Sequence, residues 1–264
     1  GAMPPLFQEL DYRPTDLGTL ILRRRWEPRL DAFIHEIKLG GDFVMTSAVT
    51  ASEVALAERG LAALAQSRPV AAPGDGQGGA AAEPGARAAG GWDVAVGGLG
   101  LGYTARAALA DPRVGRLVVV EYLAGVLDWH REGLLPLGPE LTGDPRCRLV
   151  QGDFFALASA AEGVDPEVPG RTFDAVLVDI DHSPRMLLDP RSESFYQPAG
   201  LQKLARHLAP GGVFGLWSND RPEQAIVDRM TQAFAEAWAE PVTFHNPLQD
   251  KPFTQTVYLA RKGA

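Results

Sequence analysis

The chain has 264 residues, 45% of them hydrophobic, enough to bury the core of one ordinary α/β domain with a small appendage. Its formal net charge of -8 excludes a general nucleic-acid binder, which needs a basic surface to displace counterions. With Cys147 as its single cysteine it has no disulfide framework and no cysteine-rich metal site, and no run of eighteen apolar residues marks a membrane span. No charged-then-apolar signal precedes the first helix, so the expected setting is cytoplasmic. Gly1-Ala2-Met3 reads as a tag-cleavage scar and is set aside.

In chain order, Leu17 to Arg25, Ala32 to Leu39 and Asp42 to Thr46 read as three short strands, with a tight turn at Gly40-Gly41-Asp42. The basic run Arg23-Arg24-Arg25 reads as an exposed strand end rather than a phosphate patch. A helix is expected from about Ser52 to Gln66, with Thr50 and Glu53 in capping-box spacing and Val54, Leu56, Leu61 and Leu64 on its apolar face. Residues 1–66 thus form an N-terminal region of strands and one helix. Residues 67–91, rich in Gly, Pro and Ala, have almost nothing to bury and read as a flexible linker.

From residue 92 to 264 apolar strand runs alternate with helices. The runs are Asp93 to Val96, Leu117 to Val120, Cys147 to Val150, Ala175 to Val178, Val213 to Trp217, Val242 to Phe244 and Thr256 to Ala260. Helices are expected between them, among them Tyr103 to Leu109 and Gln224 to Ala239. Strands apolar on both faces and separated by helices give a parallel, doubly wound sheet. The last two runs, joined by a loop, give an antiparallel hairpin at one edge. The expected fold is therefore α/β: a seven-stranded, Rossmann-like methyltransferase sheet with helices on both faces and a small N-terminal β-region.

The candidate site follows from the strand ends. Val96-Gly97-Gly98-Leu99-Gly100-Leu101-Gly102 ends the first core strand, and Gly98, Gly100 and Gly102 let the backbone turn tightly and approach a ligand. Glu121 ends the next strand, where a carboxylate can accept hydrogen bonds from the two hydroxyls of a ribose. Gln151-Gly152-Asp153-Phe154-Phe155 follows the third, supplying an acid for an adenine amino group and aromatics to flank the ring. Asp179-Ile180-Asp181-His182-Ser183-Pro184 follows the fourth. Such a series at one sheet edge suits S-adenosylmethionine better than a dinucleotide.

The spacing from Gly97-Gly98 through Glu121 and Gly152-Asp153 to Asp179 resembles that of the spermidine synthases, as do Ser194-Phe195-Tyr196 and Leu208-Ala209-Pro210-Gly211-Gly212. The resemblance covers nearly the whole chain outside residues 67–91. It implies that Glu121 holds the ribose and Asp153 the adenine, that Gly98, Gly100 and Gly102 line the methionine part of the cofactor, and that the protein is a homodimer built partly by its N-terminal strands. Phe154 and Asp179 complete the expected cofactor set.

The chain departs from that family where a polyamine would be read. Gly100 stands where aminopropyltransferases carry an Asp in the glycine loop. His182 stands three residues after Asp179, where they carry the catalytic Asp, with Asp181 one residue early. Met45 to Thr50 lacks their glutamine-containing stretch. Asp179, Asp181 and His182 are the candidate catalytic groups, His182 as a base near neutral pH. Tyr103, Tyr196 and Trp217 are the candidate substrate contacts, and no histidine shows metal-ligand spacing.

The leading expectation is methyl transfer from S-adenosylmethionine to a small-molecule acceptor. The alternatives are aminopropyl transfer from decarboxylated S-adenosylmethionine to an amine, and a non-catalytic member that binds a nucleoside or a partner.

Overall fold

A computed structural model describes residues 3–41, 43–70 and 91–264. Four antiparallel strands come first: β1 (Phe7–Thr15), β2 (Gly18–Glu27), β3 (Ala32–Leu39) and β4 (Phe43–Thr46), paired in that order. Residue 42, which the sequence places in the turn and at the strand start, lies outside the described residues. β1 has no counterpart among the expected strands. It is an edge strand that opens on the exposed Phe7, with Leu6 exposed just before it, so it lacks the buried alternation by which strands are read. The arginines after Leu22 are engaged, since Arg23 and Arg25 both donate to Glu36 and Arg25 also to Glu27.

Helix α1 (Ala51–Ser67) follows β4 after four residues and lies on the main sheet against the strands Phe173–Val178 and Leu208–Ser218. Its N-terminus is not the expected capping box, because the Thr50 side chain caps nothing and Glu53 turns inward. Most of the linker expected at 67–91 lies outside the described residues. At its described edges Arg68 bonds Asp174 and the Pro210 carbonyl, and Trp92 Nε1 donates to the Arg68 carbonyl.

The main part is built from β5 (Trp92–Gly97), α2 (Tyr103–Leu109), β6 (Val114–Glu121), α3 (Ala124–Arg131), α4 (Gly138–Gly143), β7 (Cys147–Gln151), α5 (Phe154–Ser159), β8 (Phe173–Val178), a 3-10 helix (Pro190–Tyr196), α6 (Pro198–Ala205), β9 (Leu208–Ser218), α7 (Gln224–Thr231), β10 (Glu236–Asn246) and β11 (Lys251–Arg261). The sheet order is β10-β11-β9-β8-β5-β6-β7. Strands β5 to β9 run parallel, and β11 joins β9 antiparallel with β10 as its hairpin partner. This is the expected seven-stranded sheet.

One helix boundary differs. The helix expected to reach Ala239 ends at Thr231, and Glu236-Ala237-Trp238-Ala239 opens β10 instead. The alanines and glutamates carry helical propensity, but pairing with β11 along Glu236 to Asn246 prevails. Pro241 is tolerated because β10 is the edge strand.

Helices α1, α2 and α3 cover one sheet face together with Leu20, Leu22 and Ile37 of the N-terminal sheet, while α5, α6 and α7 cover the other. Gly125 in α3 lets Leu20 approach, since a Cβ there would lie 2.9 Å from Leu20 Cδ2. β5 and β8 are buried along their whole lengths. The chain order reverses between them, β6 and β7 lying on one side and β9 on the other, which opens a crevice at their carboxyl ends. No helix among the described residues is long and apolar enough to cross a membrane.

Candidate active site

The crevice is a cavity of about 440 Å3. Its floor is the glycine loop after β5, its sides the turns after β6, β7 and β8, and its roof Leu17, Leu39 and Met45 of the N-terminal sheet together with residues 188–203. Backbone hydrogen bonds lace the strand ends that form it: Gly98 N to the Val120 carbonyl at 2.9 Å and Asp179 N to the Gly97 carbonyl at 2.9 Å. Gly98 has φ +97°, and a Cβ there would lie 2.2 Å from the Asp179 carbonyl oxygen, so any side chain would push β5 and β8 apart at the cavity.

Glu121 is buried at the end of β6 and lines the cavity. Its Oε1 accepts from Leu99 N at 3.1 Å and Gly100 N at 3.2 Å, and its Oε2 from Leu123 N at 3.1 Å. Burial raises its carboxyl above the ordinary value while these three N–H groups oppose the rise. The carboxylate therefore fixes the shape of the glycine loop, and its Oε2 retains a lone pair for a ligand hydroxyl.

Asp153 caps α5, its Oδ1 accepting from Phe155 N at 3.1 Å and Ala156 N at 3.3 Å, and it also lines the cavity. Phe154 is buried but also lines the cavity, its ring 2.9 Å from where a Cβ on Gly97 would stand. Phe155 and Phe195 face each other edge-on at 5.0 Å and both line the cavity, offering apolar faces to a flat ring.

A small chamber of about 20 Å3 adjoins the cavity, sharing Met45, Gly98, Gly100 and Asp179 with it. Leu99, Leu101, Gly102, Tyr103, Thr104 and Glu53 are also on its wall. At Gly100, with φ +48°, a Cβ would lie 2.9 Å from Met45 Sδ, so the methionine occupies the space a side chain would need. His130 holds the loop from beneath, its Nε2 lying 2.7 Å from the Gly100 carbonyl oxygen.

Of the three candidate catalytic groups, the structure brings Asp179 to the cavity. Its carboxyl is pushed up to about 6 by burial, and Thr104 Oγ1 donates to Oδ2 at 3.5 Å. Asp181 lines neither space. Its Oδ1 accepts from Leu188 N at 2.6 Å and its Oδ2 from the Tyr196 hydroxyl, so it locks the loop after β8 to the 3-10 helix. His182 also lies outside both spaces. Asn219 Nδ2 donates to its Nε2 at 2.9 Å, and Gln255 donates to Asn219 Oδ1, fixing that amide's orientation.

The candidate substrate contacts divide in the same way. Tyr103 lines the chamber, with Arg106 over its ring at 5.6 Å. Tyr196 is buried among Phe155 and Phe195, and Trp217 is buried within β9; neither lines the cavity. Cys147 is inert, its thiol pushed up to about 12 chiefly by burial.

Sequence reasoning missed Glu53 and Met45. Glu53 lies in the first turn of α1, where its spacing from Thr50 reads as a cap. The one signal that points elsewhere is the absence of an acid at Gly100, which leaves the glycine loop without a carboxylate of its own.

No protein-family model matches the sequence. Among solved structures the chain is similar to the spermidine synthase from Thermotoga maritima, with a TM-score of 0.66 and 15% identity over 97% of this chain and 73% of that one. A spermidine synthase in complex with the transition state analogue AdoDATO gives a TM-score of 0.67 at 16% identity, over 97% and 74% of the two chains. A probable spermidine synthase from Corynebacterium glutamicum gives 0.58 at 14% identity, over 98% and 81%. Along nearly all of its length the chain thus has the fold of the spermidine synthases, a Rossmann-like methyltransferase sheet preceded by a small antiparallel one.

Proposed function

We propose that the chain is a transferase that uses S-adenosylmethionine and delivers a methyl group to a small-molecule acceptor. The observation that carries this reading is one cavity in which the glycine loop, Glu121 and Asp153 converge beside Asp179. The residues fit the cofactor. About 440 Å3 is within the range that small-molecule sites occupy. Glu121 would take the ribose hydroxyls, Asp153 the adenine amino group between Phe155 and Phe195, and the loop at Gly98 and Gly100 the amino-acid end. The cofactor, when bound, supplies an electrophilic carbon beside a sulfonium.

The remaining work falls to the chain's own groups. Asp179, held at about 6, is poised to accept a proton from an acceptor near neutral pH. Leu17, Leu39 and Met45 close the cavity with apolar surface and limit water at the reacting atoms. Asp181 and His182 support the loop that positions Asp179.

Methyl transfer is favoured over aminopropyl transfer by Met45 standing over Gly100 and by the engagement of Asp181 and His182 away from the cavity. One observation favours the aminopropyl reading: Glu53 puts a carboxylate beside Asp179 from another element. A homodimer formed through the N-terminal sheet is part of the proposal, supported by Leu6, Phe7 and Tyr12, each 59% exposed at β1.

Calorimetric titration with S-adenosylmethionine and, separately, its decarboxylated form tests the assignment. Preference for the carboxylated ligand is expected. Preference for the decarboxylated form would replace methyl by aminopropyl transfer, and binding of neither would leave the non-catalytic reading.

A further inference from the structure

We infer that Glu53 is a specificity-determining residue of this site, accepting the primary ammonium group at the end of the cofactor's side chain inside the small chamber. The inference rests on the reading of the main cavity as a site for a nucleoside bearing a sulfonium, and it holds whether methyl or aminopropyl is transferred, since both cofactor forms carry that amine.

Three observations lead to it. First, Glu53 Oε2 is wholly buried and has no hydrogen-bond partner among the described residues, although it belongs to an ionisable side chain. A buried carboxylate oxygen left unpaired is costly, and a fold retains one where a ligand completes it. Second, Glu53 and Asp179 line the same chamber, which among the described residues holds no Arg, Lys or His; the other polar side chains described on its wall are Tyr103 and Thr104. Arg106 lies over the Tyr103 ring, and Thr104 Oγ1 is already turned to Asp179. The space therefore brings two acids together with no cation among the described residues of its wall. Burial first, and then Asp179, push Glu53 up to about 8, so without a cationic ligand it favours a proton that an ammonium would displace.

Third, size and position fit. About 20 Å3 is room for one water-sized group, and an ammonium is of that size. Shared walls at Met45, Gly98, Gly100 and Asp179 place the chamber at the glycine-loop end of the cavity, away from Asp153 and the aromatic faces. Met45 Sδ seals the side at which a loop carboxylate would otherwise stand. α1 thus supplies from outside the Rossmann-like core the charge that the loop at Gly100 lacks.

The test compares ligands with and without the amine. Wild-type protein and Glu53→Gln are titrated calorimetrically with S-adenosylmethionine, its decarboxylated form and 5′-methylthioadenosine, which has the nucleoside and sulfur but no ammonium. For whichever amine-bearing ligand wild type binds more tightly, the variant should lose about 10- to 100-fold in affinity, as expected for a charged hydrogen bond. Its affinity for methylthioadenosine should stay within about twofold. Equal loss for both ligand types, or no loss for either, would overturn the role of Glu53 while leaving the nucleoside site standing. If wild type bound none of the three, the nucleoside reading would fail and this inference with it. Wild type alone gives a second readout, since the amine-bearing ligand should bind more tightly than methylthioadenosine, and equal affinity would contradict the chamber's role.

Discussion

The two ends of the parallel sheet treat their carboxylates in opposite ways. At the amino ends every buried acid meets arginine: Asp93 pairs with Arg116 at 2.9 Å, Asp174 with Arg68 at 2.6 Å, and Asp165 with Arg171 at 2.8 Å and with Arg148. At the carboxyl ends Glu53, Glu121, Asp153 and Asp179 form no ion pair with any described residue, and burial raises Glu53, Glu121 and Asp179 above their ordinary values. The same residue types stabilise one edge and are held without an arginine partner among the described residues at the other. Charge balanced within the chain is structural; charge left for a ligand to balance marks the site.

Breaking the amino edge should have the largest effect on folding. Asp165→Ala leaves the buried Arg171 with only its 3.4 Å contact to Asp93, while the more exposed Arg148 keeps Glu167, and loss of one partner in a buried pair costs about 3–5 kcal/mol. Urea denaturation should show that loss, and the folded fraction should keep its ligand affinity. A large affinity change would mean that the two edges are not separable.

At the carboxyl edge Glu121→Ala should cost less stability and more binding. It leaves the N–H groups of Leu99, Gly100 and Leu123 to water entering from the cavity, at about 1–3 kcal/mol for each donor that water does not meet, and loosens the glycine loop. Binding of S-adenosylmethionine should be lost while the thermal transition remains cooperative.

Acidity sharpens the contrast further. With Glu53 held at about 8 and Asp179 at about 6, the folded chain keeps protons that the unfolded chain releases near 4.5 and 3.8. Between these values the native state binds more protons, so stability falls as pH rises toward 8, and the penalty is absent below the unfolded values. Glu53→Gln should flatten this profile, raising the melting temperature by several degrees at pH 8.5 and leaving it nearly unchanged at pH 5. Identical profiles for the two proteins would show that Glu53 is ionised and solvated in the fold.

The smallest effect is expected at His182. Its Nε2 is engaged by Asn219, so His182→Asn should change the rate of transfer by less than about tenfold, below the 10²–10⁴-fold that a general base contributes. A larger loss, with a pH profile that loses its limb near neutrality, would restore His182 as the base.

What the sequence disclosed follows the range of each physical signal. Strands buried on both faces, such as Ala175 to Val178, announce themselves as apolar runs, and the turns after them carry Glu121 and Asp153 to the cavity within one or two residues. Edge strands β1 and β10 are polar or alanine-rich and held by pairing partners, so local pattern misses one and lends the start of the other to a helix. Asp181 and His182 follow the right strand, yet spacing along a loop does not tell which side chains turn into the crevice and which pin the loop in place. Glu53 was least visible. Its partner Asp179 is distant in sequence, and the two meet because α1 packs on β8 and β9.

The central claim is that the carboxyl edge binds the nucleoside of a sulfonium cofactor, and it is tested most directly by titrating wild type and Glu121→Ala side by side with S-adenosylhomocysteine. The account predicts saturable one-to-one binding to wild type that is lost in a folded variant. Equal binding to both proteins, or none to wild type, would contradict it.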